Sequence, residues 1–333
     1  MRAYHLTAPG LEHLVRTEAE PPRPGPGEVL VRLRAASLNY IDLAVATGGF
    51  PVPHLPLIPV TDGAGEVIEL GAGVEGVRPG ERVVPHFLPA WTAGAPGPVE
   101  GRRMRGITMP GSLAELAVVP AGGLVRMPEH LSFEEAASLP IAATTAWKAM
   151  RTAAVRPGSR VLLLGTGGVS LFALQFAKAA GARVILTSSS DEKLERARAL
   201  GADETINYRS TPDWDAEVLK RTDGAGVDLV VETVGAQTFG RSLNAAAVEG
   251  TVFVVGFVTG GELATSLFPV ILKTLRVIGS NTGSVADLAE AAEAIAATRI
   301  RPVLDRVFSF DEAPAAYGLM QRGGHFGKLA ITV

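Results

Sequence analysis

The sequence predicts an α/β protein in two domains, a doubly wound parallel sheet in the middle of the chain and an antiparallel, barrel-like β domain ahead of it. Three observations carry this. Between residues 160 and 280, short apolar β-rich runs alternate with helix-spaced segments, an order that demands crossover connections and a parallel sheet. Residues 1–125 instead carry short β-like runs separated by Pro and Gly. Finally, 333 residues is long for a single core.

In chain order, the early runs fall at 28–35, 65–70, 82–85 and 114–119, with the turn signals Pro24-Gly25-Pro26-Gly27 and Arg78-Pro79-Gly80-Glu81 just before strands. The segment 89–111 holds Gly94, Pro96, Gly97 and Pro98, then Arg102, Arg103 and Arg105. Its length and polarity predict a mobile loop with a solvated Arg cluster. Ser132 and Glu135 form a capping box for a helix over 134–139, and a second helix is expected over 143–150. After Pro157-Gly158, strands are expected at 161–164, 183–187, 204–208, 227–232, 251–256 and 276–280, with helices between them. The tail reads as helix 285–297, strand 303–308, helix 312–321 and strand 328–333.

Residues 160–191 form one βαβ unit, whose turn is Gly165-Thr166-Gly167-Gly168-Val169-Ser170. This is where a dinucleotide fingerprint must sit. The first glycine permits the tight turn, and the second lets backbone N–H groups approach a pyrophosphate at the helix N-terminus. Ser170 takes the place of the third glycine.

Bulk properties narrow the function further. Hydrophobic residues make up 47% and charged ones 20%, the balance of a soluble globular protein. A formal charge of -3 gives no basic face for nucleic acid or an anionic membrane. No apolar run reaches the ~18 residues of a transmembrane helix and residues 1–10 lack a signal-peptide apolar region, so a cytoplasmic location is expected. With no cysteine there can be no disulfide, thiolate nucleophile or Cys-ligated metal. The six histidines, at 5, 13, 54, 86, 130 and 325, show no paired spacing.

Six stretches, PGPGEVLVRLRAASLNYIDL (24–43), PLIPVTDGAGEVIELGAGV (56–74), RPGERV (78–83), LPIAATTAW (139–147), PGSRVLLLGTGGVS (157–170) and GGHFGKLAI (323–331), together resemble the medium-chain dehydrogenase/reductase superfamily over nearly the whole chain. The resemblance implies a GroES-like catalytic domain from both chain ends (1–127 and 281–333), an inserted Rossmann domain (128–280), and an active site in the cleft between them. Zinc-dependent relatives have Cys where Asn39 stands, His-Glu where Thr61-Asp62 stands, and another Cys near Ile141. Their four-cysteine structural-zinc lobe is missing from 89–111. The hydroxyl that relays protons in them is replaced by Ile41. The chain is therefore similar to the zinc-free branch, near quinone oxidoreductases and zinc-less alcohol-dehydrogenase-like members, and no metal ligands are expected.

An NAD site places an acid at the end of the second strand; Ser188 stands there, followed by Ser189, Ser190 and Lys193. Small hydroxyls plus a cation suit a 2′-phosphate, so NADPH is expected, although the same serines would also serve as a helix N-cap. Tyr208 resembles the tyrosine that completes this pocket in quinone-reductase relatives. At the nicotinamide end the candidates are Thr145, Val234 within Glu232-Thr233-Val234-Gly235, Gly256-Phe257 and Ser280-Asn281-Thr282. Lys328 resembles the cation that reaches the pyrophosphate.

Without a metal, hydrogen-bond donors must stabilise charge on the hydride acceptor's oxygen. Asn39, Tyr40 and Thr61 are the candidates, with the indoles of Trp91 or Trp147. Asp42 and Asp62 are read as ordering the site wall by accepting from backbone N–H groups. Phe50, Trp91 and Phe257 would give an apolar pocket if they converge. A delocalised enolate or hydroquinone anion needs less help than an alkoxide, which favours a quinone or an α,β-unsaturated carbonyl as acceptor. Alcohol/aldehyde-ketone interconversion and a non-catalytic nucleotide-binding role are the alternatives. The apolar run 276–280 is suited to pair with its symmetry mate, so a homodimer is expected.

Overall fold

The computed structural model describes all 333 residues, which divide into two compact units: 1–144 with 283–333, and 145–282. The first unit begins with β1 (Arg2–Leu6), β2 (Leu14–Glu18), β3 (Glu28–Leu38), β4 (Asp62–Leu70), β5 (Arg82–Pro85), β6 (Leu116–Pro120) and β7 (Leu124–Arg126). The second unit carries β8 (Arg160–Leu164), β9 (Arg183–Ser188), β10 (Glu204–Asn207), β11 (Val227–Glu232), β12 (Ala246–Val254) and β13 (Arg276–Gly279). The chain then returns to the first unit with β14 (Leu304–Phe308) and β15 (Lys328–Thr332).

In the first unit β1 and β2 form a small antiparallel sheet, and a seven-stranded sheet runs β14-β15-β3-β4-β5-β7 with β6 paired to β3. β3 is its spine: 11 residues long, it borders β4, β6 and β15. Its apolar residues, including Val29, Val31, Leu33, Ala36 and Leu38, are buried in two clusters. Pairing of Leu329 with Leu38 brings the last strand against the end of β3, where Asn39 begins a short helix, Tyr40–Ala46.

The second unit is a six-stranded, all-parallel sheet in the order β10-β9-β8-β11-β12-β13. Renumbered from its own first strand this is 3-2-1-4-5-6, the doubly wound order that opens a crevice where connections reverse direction, beyond the ends of β8 and β11. Its inner strands β8, β9 and β11 are buried nearly throughout, as strands covered on both faces require.

Several expectations are corrected. The segment 89–111 is not a free polar loop, because Trp91, Ile107 and Arg105 in it are buried, the first two inside the main core of their unit. Ser132 does cap a helix reciprocally with Glu135, but the helix is only Phe133–Ala136. A π-helical turn, Leu139–Ala143, follows and leads into helix Thr144–Thr152. The two compact units divide at 144/145 and 282/283, where the resemblance implies 127/128 and 280/281.

Candidate active site

In the first unit a polar cluster is assembled from four separate stretches. Asn39 caps its helix, and its own backbone N–H donates to Asp42 Oδ2 at 2.7 Å. Asp42 Oδ1 accepts from the Thr61 backbone N–H at 2.8 Å, and Oδ2 accepts from the Thr61 hydroxyl at 3.2 Å. Asn39 Nδ2 donates to Thr61 Oγ1 at 3.2 Å, and Lys328 Nζ donates to Asn39 Oδ1 at 2.6 Å and to the Leu38 carbonyl at 2.7 Å. Lys328 Nζ also stands 3.7 Å from Asp62 Oδ2, which accepts from the Ile141 N–H at 3.3 Å. Asp42, Thr61, Asp62 and Lys328 are all buried.

Burial dominates the electrostatics. It pushes Asp42 up to about 7, against the pull of the Asn39 and Thr61 amides, and Asp62 up to about 6, against the pull of Lys328. It also lowers Lys328, so desolvation outweighs the mutual attraction of the lysine and its carboxylates.

The cluster has neighbours that sequence reasoning missed. Arg105, expected in a solvated cluster, is buried, its Nη2 donating to Ser112 Oγ at 3.0 Å; burial lowers it to about 10 while Asp62 pulls the other way. Nothing in an Arg-rich run marks one member as internal. Tyr317 lies on a helix, Ala313–Arg322, with its hydroxyl buried and without a hydrogen-bond partner; burial and then Asp42 raise its pKa.

Other candidates are placed differently. Lys328 does not extend as a free cation for a pyrophosphate, because its ammonium is engaged by Leu38, Asn39 and Asp62. Trp91 is buried and donates its indole N–H to Gly94 O at 2.9 Å, so it is a core residue rather than an oxyanion donor. Phe50 packs on that same core, and Phe257 belongs to the other unit. Tyr40 is exposed at the first turn of its helix.

In the second unit the glycine turn follows β8. Gly165 adopts φ +72, open to glycine without strain, and Gly167 precedes helix Gly168–Ala179. The first-turn amides of a helix, here those at Gly168 and Val169, have no acceptor within it. Ser170 is buried and donates to Leu164 O at 2.7 Å, tying the turn to the strand it leaves. Ser188 ends β9 and is buried; Ser190 accepts from Lys193 N at 3.3 Å and caps helix Asp191–Ala199. The capping role is therefore real for Ser190, leaving Ser188 and Ser189 at the strand end. Tyr208 is exposed, and its N–H donates to Ser188 O at 3.0 Å.

At the end of β11, Glu232 is fully buried and builds the next loop. Its Oε1 accepts from Val234 N, Gly235 N and Thr238 Oγ1 at 2.9, 3.0 and 2.8 Å, and its Oε2 from Ser242 Oγ at 2.5 Å. Gly256 lies against this loop so closely that a Cβ would stand 1.9 Å from the Thr233 carbonyl. Thr145 donates to Thr282 Oγ1 at 3.3 Å, and Ser280 donates to Thr282 O at 2.5 Å, which knits 280–282 to the helix at Thr144–Thr152. Asn281 is exposed beside them.

Comparison with known proteins decides the family. Residues 25–129 match the alcohol dehydrogenase GroES-like domain, and residues 168–297 match the zinc-binding dehydrogenase family. The chain is 42% identical to a zinc-type alcohol dehydrogenase-like protein of Schizosaccharomyces pombe, over 99% of this chain and 98% of that protein. The chain belongs to the medium-chain dehydrogenase/reductase superfamily. Within this superfamily it is 36% identical to a quinone oxidoreductase of Pseudomonas aeruginosa, over 86% and 83% of the two chains. It superimposes on a solved NAD-dependent alcohol dehydrogenase with a TM-score of 0.89 at 36% identity, covering 100% of each chain. As a superfamily member it is an oxidoreductase of an NAD(P)-binding dehydrogenase family, and residues 25–129 are its GroES-like domain.

The metal of the zinc-dependent branch does not fit the residues present. At the corresponding positions Asn39 and Thr61 offer an amide and a hydroxyl, Ile141 offers no donor side chain, and the one carboxylate, Asp62, is taken by the Ile141 N–H and stands 3.7 Å from the Lys328 ammonium, which is also hydrogen-bonded to Asn39. No group of three or more His, Cys, Asp or Glu side chains is arranged to hold a metal ion.

Proposed function

We propose that the chain is a zinc-independent, NADPH-dependent reductase that delivers hydride to a quinone or an α,β-unsaturated carbonyl. The observation that carries this is the Asn39–Thr61–Asp42–Lys328 cluster, a set of hydrogen-bonding groups with a buried cation where zinc relatives keep metal ligands. Hydrogen bonds spread over a delocalised enolate or hydroquinone oxygen suffice where a localised alkoxide would need a Lewis acid.

The two units divide the work. In the second, the amides of Gly168 and Val169 would hold the pyrophosphate, Ser188, Ser189, Lys193 and Tyr208 the adenosine 2′-phosphate, and Val234, Gly256, Phe257, Ser280 and Asn281 the nicotinamide end. Bound there, the nucleotide supplies the hydride. In the first, Asn39 orients the acceptor's oxygen and donates to it, with Thr61 holding the amide in place. Solvent delivers the balancing proton.

The apolar edge of the second unit is proposed as a homodimer interface. Val277 on the edge strand β13 is exposed, as are Phe268 at 70% and Leu272 at 76% on the preceding helix. No helix of the chain is long and apolar enough to cross a membrane, and the cytoplasm is the proposed compartment.

The test measures NADPH oxidation with a quinone, an enone and a ketone as acceptors, with and without chelator. Turnover of the quinone or enone that survives chelation is expected; chelator-sensitive turnover, or turnover of the ketone alone, overturns the reading. Nucleotide choice is tested by titration, and NADPH is expected to bind more tightly than NADH. Ser188→Asp should reverse that order by about tenfold or more, through repulsion of the 2′-phosphate. Tighter binding of NADH by the unaltered chain, as in an NAD-dependent relative, defeats the assignment.

A further inference from the structure

The buried lysine of the last strand is placed as part of the catalytic machinery rather than the nucleotide site. We propose that Lys328 is a positioning residue whose ammonium fixes and polarises the Asn39 amide, supplying from within the chain the positive charge that a metal supplies in zinc-dependent relatives. This rests on the reductase reading above.

The geometry leaves one consistent direction for each hydrogen bond. An ammonium has donors and no acceptor, so the Asn39 oxygen must face Lys328, at 2.6 Å, and the nitrogen must face Thr61, at 3.2 Å, and the Asp62 carboxyl. Thr61 Oγ1, accepting from that nitrogen, turns its own hydrogen toward Asp42 Oδ2 at 3.2 Å. The array thus runs from cation to carboxylate through Asn39 and Thr61, and a flipped amide would set its –NH2 against the ammonium. A charge-assisted bond to the amide oxygen draws electron density from the nitrogen and strengthens its N–H as a donor. The remaining donors of Lys328 are directed by Leu38 O at 2.7 Å and by Asp62, 3.7 Å away, which leaves the side chain no other orientation that keeps all three partners. With Lys328 buried, this charge is poorly screened by solvent and acts at full strength over the short distance to Asn39.

A cation serving the nucleotide would be exposed and separable from Asn39; a cation serving Asn39 is coupled to it. The experiment therefore uses a cycle of four proteins, the unaltered chain, Lys328→Met, Asn39→Ala and the double variant, and a fifth, Lys328→Arg, as the conservative replacement. Kd for NADPH is read by fluorescence titration, and kcat and KM by oxidation of NADPH with an enone. Lys328→Met and Asn39→Ala should each lower kcat by about a hundredfold, the scale for loss of one oxyanion donor. Their double variant should be little worse than either, Lys328→Arg should restore much of the loss, and Kd for NADPH should stay within about twofold.

A tenfold rise in Kd with kcat intact would overturn the proposal and return Lys328 to the pyrophosphate. Multiplying losses in the double variant would also overturn it, since the two residues would then act separately. Melting temperatures of the same four proteins form a second cycle that needs no turnover: coupling between the two substitutions supports the contact, and strict additivity opposes it. If the unaltered chain oxidises NADPH with none of the quinone, enone and ketone acceptors, the reductase reading fails by itself, while the binding and melting arms still decide the placement of Lys328.

Discussion

Asp42 and Glu232 are both buried carboxylates, one in each unit. Asp42 is raised from 3.8 to about 7, mainly by burial. The folded chain then keeps a proton that the unfolded chain releases near pH 4, so this carboxyl favours the fold in acid, and its contribution is lost as pH rises from about 4 to about 7. Asp42→Asn cannot titrate, so the melting temperature of the unaltered chain should fall relative to that of the variant between pH 5 and pH 8. Parallel pH profiles would show that Asp42 does not carry the proton. Glu232 holds two backbone N–H groups and two hydroxyls. Glu232→Ala should cost about 1–3 kcal/mol for each donor left dry, read by denaturant unfolding, whereas Glu232→Gln should be milder because the Ser242 hydroxyl can turn round and accept.

At the scale of elements, the turns were more legible than the lengths. Ser132 and Glu135 announce a helix start by chemistry confined to four residues, and both reciprocal bonds are present. The glycines at 165 and 167 likewise announce a strand-to-helix turn. The helix expected over 134–139 is cut short because the chain turns through a π-helical segment whose Ile141 N–H is claimed by Asp62, a contact 79 residues away that no local pattern encodes. Lys328 was visible as a cation of interest, but its partner was not, since the pairing depends on β15 joining β3. Trp91 and Arg105 were hidden by their setting among Gly, Pro and Arg, where polarity suggested solvent and tertiary packing prevailed. Gly256 is the sharper element-scale test. Gly256→Ala would force its Cβ into the Thr233 backbone, so it should cost about 1–3 kcal/mol of stability and weaken NADPH binding together. Gly165→Ala meets no atom there and should cost only about 1 kcal/mol, from its positive φ.

For the whole molecule, the exposed apolar surface on Leu267, Phe268, Ile271, Leu272 and Val277 is a solubility liability for a lone chain and an asset for a pair. Sedimentation should find a dimer, and Ile271→Glu with Val277→Glu should yield monomers that still bind NADPH. A monomer from the unaltered chain would defeat the proposed interface. The order of the units along the chain has a separate consequence. Residues 145–282 are contiguous and can close their sheet from local βαβ units, but the other unit needs β15 beside β3 before its central sheet is complete. The Lys328–Asn39 bond spans 289 positions of sequence. During synthesis the unit proposed to bind the nucleotide can therefore be finished and able to hold its ligand while the unit proposed to carry the acceptor site still waits for β15. Competence for hydride transfer would then be acquired last, as a single late event, which keeps an incomplete chain from spending reduced nucleotide.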